Sequence, residues 1–361
     1  MTRHSSIQSD LFSPLSFSHG PDWANRFALA PMTNTQSNAD GTLHDDELLW
    51  LSMRAAGGFG LTMTCAIAAQ DNGRGYPGQL GAWDDRQTVG LSRLAAAIKE
   101  NGSAACAQLA HSGPRALDNL PRVGVMDDPK SDTIALSDDG VDALIQDFVE
   151  AAKRAERAGF DGAEIHAAHG FLPAQFLSPE LNNRDDKWGG SFENRSRFIR
   201  EVVRRIREGT RPDFQLGLRM SPERFGLRMS EVLELSQEIM TSGHIDWLDM
   251  SLWDILKAPE EADFAHKPLM SWFADLDRGP ARLGVAGNIM GATDAMKVID
   301  MGADFALIGK AAILAHDFPQ KVAADATYTS PPRPVSEDYL RQEGLGTEFI
   351  NYMRSFGGFV A

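Results

Sequence analysis

Short apolar runs alternate with longer amphipathic stretches along the chain. The runs are residues 27–32 (FALAPM), 60–65 (GLTMTC), 104–109 (AACAQL), 162–166 (GAEIH), 215–220 (QLGLRM), 245–250 (IDWLDM), 281–285 (ARLGV) and 304–308 (DFALI). Most have the character of buried parallel strands: brief, apolar, and stopped by Gly, Pro or a polar residue. Helical patterns fall between them at 46–56, 87–101, 139–158, 194–208, 230–242 and 292–301. In 139–158, Leu144, Phe148, Ala152 and Ala155 recur at helical spacing, and Gly159 suits a left-handed stop. In 194–208, Phe198, Val202, Val203 and Ile206 share one face. The segment after the sixth run is the least regular. Eight strands alternating with helices predict an α/β fold, a (β/α)8 TIM barrel closed by right-handed crossovers. A doubly wound open sheet is the rival, but no GxGxxG follows the first strand.

Two stretches exceed a simple barrel. Residues 111–137 carry Gly, Pro and Asp and read as a loop insertion over the barrel mouth after strand 3. Residues 324–361 follow the last barrel helix and contain SPPRP, then a short amphipathic segment ending in GGFVA. This C-terminal tail is expected on the barrel exterior or on a partner subunit, a candidate contact for a homo-oligomer. The whole chain, 1–361, reads as one domain with the barrel over about 25–320.

Composition narrows the partners. The 361 residues hold 35 Lys+Arg against 50 Asp+Glu, a formal charge of −15. That balance disfavours nucleic acid and anionic membrane surfaces, both of which need clustered positive charge. A hydrophobic fraction of 43% supports a large core. No apolar run approaches the roughly 18 residues that span a bilayer. The N-terminus, MTRHSSIQSDLFSPLSF, has no apolar stretch like that of a signal peptide. Cys65 and Cys106 are too few for a disulfide framework and too far apart for a zinc motif. A reducing cytoplasm is the default, and each thiol, near the end of its strand, is expected to act as a small buried hydrophobe.

A barrel builds its active site at the C-terminal ends of its strands. That rule selects Pro31, Met32 and Thr33 after strand 1, Gln108 and His111 after strand 3, and His166 and His169 after strand 4. It also selects Arg219 on strand 5, Gly287 after strand 7, and Gly309 and Lys310 after strand 8. The loops after strands 7 and 8 form the usual phosphate site of such barrels. There Gly287 and Gly309 allow close approach and Lys310 supplies charge; the rival reading is that both glycines are tight turns only. His166 and His169 read best as hydrogen-bond donors to an anionic or carbonyl oxygen. A metal site lacks an obvious third ligand, because acids such as Glu164 should face the barrel wall or interior. Arg219 needs an anionic partner, a ligand or an acid of a barrel loop.

Residues 164–198 read EIHAAHGFLPAQFLSPELNNRDDKWGGSFENRSRF. This block resembles the pattern H-x-x-H/N-G-Y-L…QFLSP…N-x-R-x-D-x-Y/W-GGS-x-ENR-x-RF of the old yellow enzyme family of FMN-dependent oxidoreductases. APMT at 30–33, RAAGGFGLTMT at 54–64, QLAHSG at 108–113, LRMSP at 218–222 and IGK at 308–310 resemble the family in the same order. The resemblance implies a bound FMN and NADH or NADPH as co-substrate. Ala30, Pro31, Met32 and Thr33 would lie along the flavin, with the Thr33 hydroxyl at its O4. Ala66 would touch the ring and Gln108 would bond the pyrimidine edge. Arg219 would sit by N1 and O2, and Gly287, Gly309 and Lys310 would hold the phosphate. His166 and His169 would bind the oxygen of a small-molecule substrate. The implied activity is ping-pong hydride transfer from NAD(P)H, by way of flavin N5, to activated alkenes, quinones or nitro compounds.

Three positions depart from the family pattern. Phe171 stands where the family places its proton-donating Tyr, in the substrate pocket. Lys310 replaces the usual Arg at the phosphate, trading a planar fork for a point charge. Pro114 separates Gly113 from Arg115, so no family role passes to Arg115. Phe171 also keeps open a member that oxidises an amine or N-methyl substrate, since hydride removal needs no proton donor to carbon. Two rivals lie outside redox chemistry: a phosphate-binding barrel such as an aldolase or synthase, and a non-catalytic scaffold.

Overall fold

The computed structural model describes residues 10–361. Its strands in chain order are β1 (Phe27–Leu29), β2 (Leu61–Ala68), β3 (Ala104–Ala110), β4 (Arg122–Gly124) and β5 (Thr133–Ala135), followed by β6 (Gly162–Ala167), β7 (Gln215–Met220), β8 (Trp247–Ser251), β9 (Arg282–Ala286) and β10 (Phe305–Ile308). Eight of these, all parallel, close in the order β1-β10-β9-β8-β7-β6-β3-β2. Closure establishes the (β/α)8 barrel and removes the open-sheet rival.

Each predicted run is a strand, with two informative differences at the ends. β1 stops at Leu29 because Pro31 has no N–H for the ladder, so residues 30–33 leave the barrel as a loop at its mouth. β2 continues past Cys65 to Ala68 through a register shift between Met63 and Ala66. Cys65 and Cys106 therefore lie within strands rather than near their ends. Both are free and buried, and burial pushes both thiols up, which makes them inert. The insertion after β3 carries the separate parallel pair β4 and β5.

The helices follow their local signals. Asp138–Arg157 is capped by Ser137, whose side chain accepts from the Gly140 N–H at 3.1 Å. Asp138 and Asp139 favour its positive end, and Gly159 terminates it at φ +96°. It buries Leu144, Phe148, Ala152 and Ala155, and Phe192–Gly209 buries Phe198, Val202, Val203 and Ile206. After β8, where the pattern is least regular, there is a turn at Ala262–Phe264 and a short helix Leu269–Ala274. Among the described residues, no helix is long and apolar enough to cross a membrane.

The barrel interior is layered. Its lower part is apolar, with Met63, Cys106, Trp247 and Phe305 packed on Trp23, which precedes β1 and closes that end. The Trp23 and Trp247 rings meet edge-on at 5.2 Å. Above this, strand register sets Gln108 beside Glu164, His166 beside Arg219, and Arg219 beside Asp249. Polar side chains thus enter the barrel just below its C-terminal mouth.

The tail holds two short helices, Glu337–Gln342 and Thr347–Arg354. As expected it packs on the exterior, with Phe349 edge-on to Trp50 of helix Asp45–Ala56 at 5.3 Å. It also turns inward: Tyr352, Met353 and Phe359 line a cavity of about 390 Å³ with Met32, Thr33 and Lys310. The tail is fastened by Arg54, which is fully buried. Arg54 donates to the Ala312 carbonyl from Nε at 3.1 Å and Nη2 at 3.0 Å, and from Nη1 to the Trp50 and Glu343 carbonyls at 3.1 and 2.6 Å. Arg54→Met would leave buried carbonyls unsatisfied, at about 1–3 kcal/mol each. Urea unfolding should show a total loss of roughly 2–5 kcal/mol, and Arg54→Lys should recover only part of it.

Candidate active site

Most of the residues selected from the sequence gather at the mouth in three groups; His111 is not among them and pairs with Gln70 at 3.0 Å. Ala30, Pro31, Met32, Arg219, Gly287, Gly309 and Lys310 line one cavity of about 250 Å³, together with Ser251, Trp253 and Asn288. Thr33 faces the adjoining cavity under the tail. His166, His169 and Phe171 form an aromatic cluster, with His166 centred 5.1 Å from His169 and 4.4 Å from Phe171. Ser251 joins the groups, its hydroxyl 2.8 Å from His169 Nε2. Ala66 and Gln108 are register partners on β2 and β3 and line neither cavity.

Beneath the cavity, Gln108 Nε2 donates to Glu164 Oε1 at 2.8 Å and Trp247 Nε1 donates to Glu164 Oε2 at 2.9 Å. Arg219 Nε lies 3.1 Å from Asp249 Oδ2, the acidic partner that the sequence left open. The contact is off the hydrogen-bonding direction. Arg219 Nε and both Asp249 oxygens are buried without a hydrogen bond. Burial and the Asp249 charge push the Glu164 carboxyl up. Burial also raises Asp249, and Arg219 pulls it back.

The cavity suits an anionic group with a polar edge. Lys310 has no counter-ion or hydrogen bond among the described residues. Arg219 reaches the cavity with donor capacity to spare. A Cβ on Gly309 would find nothing nearer than Met32 Sδ at 3.7 Å and Ala30 Cβ at 3.9 Å, so the space before this glycine is open. Gly287 is different: a Cβ there would come within 3.0 Å of Ile255 N, so the neighbouring loop already requires glycine.

The imidazoles are neutral. Burial drives His166 well below the ordinary value, reinforced by His169, Arg219 and Arg115. Burial, Arg219 and Arg115 push His169 down to about 3. His166 Nδ1 is buried and unpartnered. His169 holds a left-handed backbone at φ +57°, as do Trp253 at +60° and Asn288 at +52°. Such conformations cost of order 1–3 kcal/mol each and collect at functional sites. Among the described residues, no three His, Cys, Asp or Glu side chains are grouped to hold a metal ion.

A closed parallel barrel with uncharged imidazoles beside a cation-lined cavity at its C-terminal mouth is the layout of a cofactor-dependent barrel enzyme. Residues 10–327 match the NADH:flavin oxidoreductase / NADH oxidase family, and the chain belongs to that family. It is an FMN-dependent oxidoreductase with a reduced nicotinamide as co-substrate, and the readings as a non-redox barrel or a scaffold fall away. It is 34% identical over 326 residues to the probable NADH-dependent flavin oxidoreductase YqiG of Bacillus subtilis, covering 86% of this chain and 87% of that one. It is 32% identical over 336 residues to the NADH:fumarate oxidoreductase of Klebsiella pneumoniae, covering 87% of this chain but only 36% of that longer protein. Among solved structures, morphinone reductase superposes with a TM-score of 0.75 at 26% identity, over 91% of this chain and 92% of the other.

Sequence reasoning missed Asp249, Ser251 and Trp253, named Asn288 only as the residue after Gly287, and gave Arg115 no role. Asp249 and Ser251 carried a signal: both share the inward parity of Trp247 in an otherwise apolar strand. Trp253 lies in a loop whose left-handed backbone leaves no mark in composition.

Three imidazoles, the buried His111 and His166 and the half-buried His169, stay unprotonated where unfolded histidine, at about 6.5, takes a proton. Burial pushes His111 also down to about 3. Their stabilisation is complete above pH 6.5 and is lost as pH falls below it, because only the unfolded chain binds those protons. The raised carboxyls of Glu164 and Asp249 act oppositely and lose stabilisation as pH rises through their folded values. Imidazole NMR of the folded protein should show no titration of the three rings between pH 5 and 8. His169→Asn should flatten the acid side of the stability–pH curve. A ring midpoint near 6 would contradict the neutral pair.

Proposed function

We propose that the chain passes hydride from NADH or NADPH to an activated alkene, a quinone or a nitro compound, as a cytoplasmic enzyme built from one domain. When bound, FMN supplies the hydride relay between the two substrates. Lys310 and the open space before Gly309 would receive its phosphate, and the loop 30–33 would lie along its ring. Gln108 and Ala66 would meet the pyrimidine side, with Gly287 completing the phosphate turn. Arg219 would place positive charge where negative charge develops, its own burial partly offset by Asp249.

The observation that carries this reading is the His166–His169 pair. Two neutral rings about 5 Å apart, one with a free buried nitrogen, are suited to hydrogen-bond a single carbonyl or nitro oxygen. Donation to that oxygen withdraws electron density from the conjugated alkene. Each such bond to a charged oxygen is worth roughly 1.5–3 kcal/mol. Phe171 packs against His166 and offers no proton, so a proton bound for carbon must come from water or another group.

The test is anaerobic stopped flow: yellow protein mixed with each nicotinamide, then with an acceptor panel. Bleaching by nicotinamide and recovery with nitroalkenes and quinones is expected. Recovery with none of them, and bleaching by amines instead, would favour the oxidative reading. Lys310→Glu sets like charge beside a phosphate dianion and should sharply reduce FMN content of the purified protein, read by absorbance after denaturation. Phe171→Tyr adds one hydroxyl to a ring already in place. Positioned acids contribute on the order of 10²–10⁴-fold, so this variant should gain on cyclohexenone-type substrates and little on quinones. Equal rates for both proteins on both classes would mean that carbon protonation is not limiting.

A further inference from the structure

Arg115 lies in the turn Gly113–Arg115, at the start of the insertion after β3. Its guanidinium carbon stands 4.6 Å from the centre of the Phe171 ring. Nη2 donates to the His169 carbonyl at 2.8 Å. A guanidinium has five N–H donors, and among the described residues those left over meet no acid. The chain carries 15 more acids than bases, so an arginine without a carboxylate is not for want of acids.

Its surroundings explain both its position and its lack of a partner. The side chain rests on an apolar ring face, held by cation–π attraction and one bond to backbone. Phe171 in turn touches His166, and the carbonyl that Arg115 bonds is the main chain of His169. Arg115 is therefore next to both histidine residues, through the Phe171 ring and through the His169 backbone. It is exposed there, whereas Arg219 lies buried beneath and already faces Asp249. The mouth thus presents two neutral donors for an uncharged oxygen and, beside them, a positive fork with free N–H groups. A planar fork of this kind matches a carboxylate by paired hydrogen bonds.

We propose that Arg115 is a specificity residue that binds a carboxylate on the acceptor, so that the preferred substrates are anionic: activated alkenes or aromatic acceptors bearing a free acid. The inference rests on the hydride-transfer reading of the same site and adds the substrate class. His166 and His169 take the polarisable oxygen, and Arg115 takes the acid at the other end. An acid left unpaired near this rim would be repelled by the chain's net charge; Arg115 reverses that locally.

The experiment uses the FMN-loaded enzyme and two matched pairs. The first is 4-hydroxybenzoate against its methyl ester, with binding read by calorimetry. The second is 4-(2-nitrovinyl)benzoate against its methyl ester, with KM and kcat read separately. Wild type should favour the acid of each pair. Arg115→Gln should weaken the acid by about 10- to 100-fold, the range of a charge-assisted pair, mostly in Kd and KM. The ester should lose at least tenfold less than the acid. Arg115→Lys should restore part of the preference. Equal binding of acid and ester by wild type, or equal losses on both in Arg115→Gln, overturns the carboxylate assignment while the hydride-transfer reading stands. No binding and no turnover of either pair by wild type overturns both.

Discussion

One guanidinium is sealed inside this barrel with two carboxyls. Arg219 faces Asp249 at 3.1 Å, and Glu164 shares the same interior layer, held by Gln108 and Trp247. Water cannot reach the layer to screen it, so Coulomb terms there are large and the charges must nearly cancel. Burial raises the proton affinity of both carboxyls; the Asp249 charge adds to it at Glu164, and Arg219 opposes it at both. Arg219, whose Nε makes no hydrogen bond to Asp249, keeps donor capacity for whatever lies above it. The apolar plug of Trp23, Trp247 and Phe305 below makes the arrangement obligatory, since it closes off solvent from that side.

The rest of the mouth follows from that layer. Burial first, and then the positive charges of Arg219 and Arg115, disfavour protonating the two imidazoles. His166 and His169 can then donate without carrying charge of their own. The cavity beside them retains Lys310, which no acid among the described residues neutralises. The site thus combines one offset cation, two cations without an acid partner among the described residues, and two neutral donors near the strand ends.

Much of this was legible in sequence. Strands buried on both faces leave short apolar runs, and capped amphipathic helices leave Ser137, Gly159 and a stripe of large apolar residues. The block from Glu164 to Phe198 pointed to the family before any contact was known. What was not legible depends on distance along the chain. β1 ended early because of one proline, and β2 ran long through a register shift that composition does not record. β4 and β5 are three residues each, too short for periodicity to register. Asp249 lies in a run that reads as an apolar strand, and one acid in such a run does not say which partner it meets. The partner of Arg219 and the inward turn of the tail are set by residues that meet only after the barrel closes.

Arg54 gives the fold a property that no single element has. Its fork holds the carbonyl of Ala312, in the turn that begins at Lys310, and the carbonyl of Glu343, between the two tail helices. The anchor of the anion-facing turn and the anchor of the tail are one side chain. Whatever orders the first spends less entropy ordering the second, so the two become linked equilibria. If the Lys310 turn holds the flavin phosphate as proposed, cofactor retention and amide-exchange protection of the tail would rise and fall together, and shortening the C-terminus would act on flavin affinity from the far end of the chain.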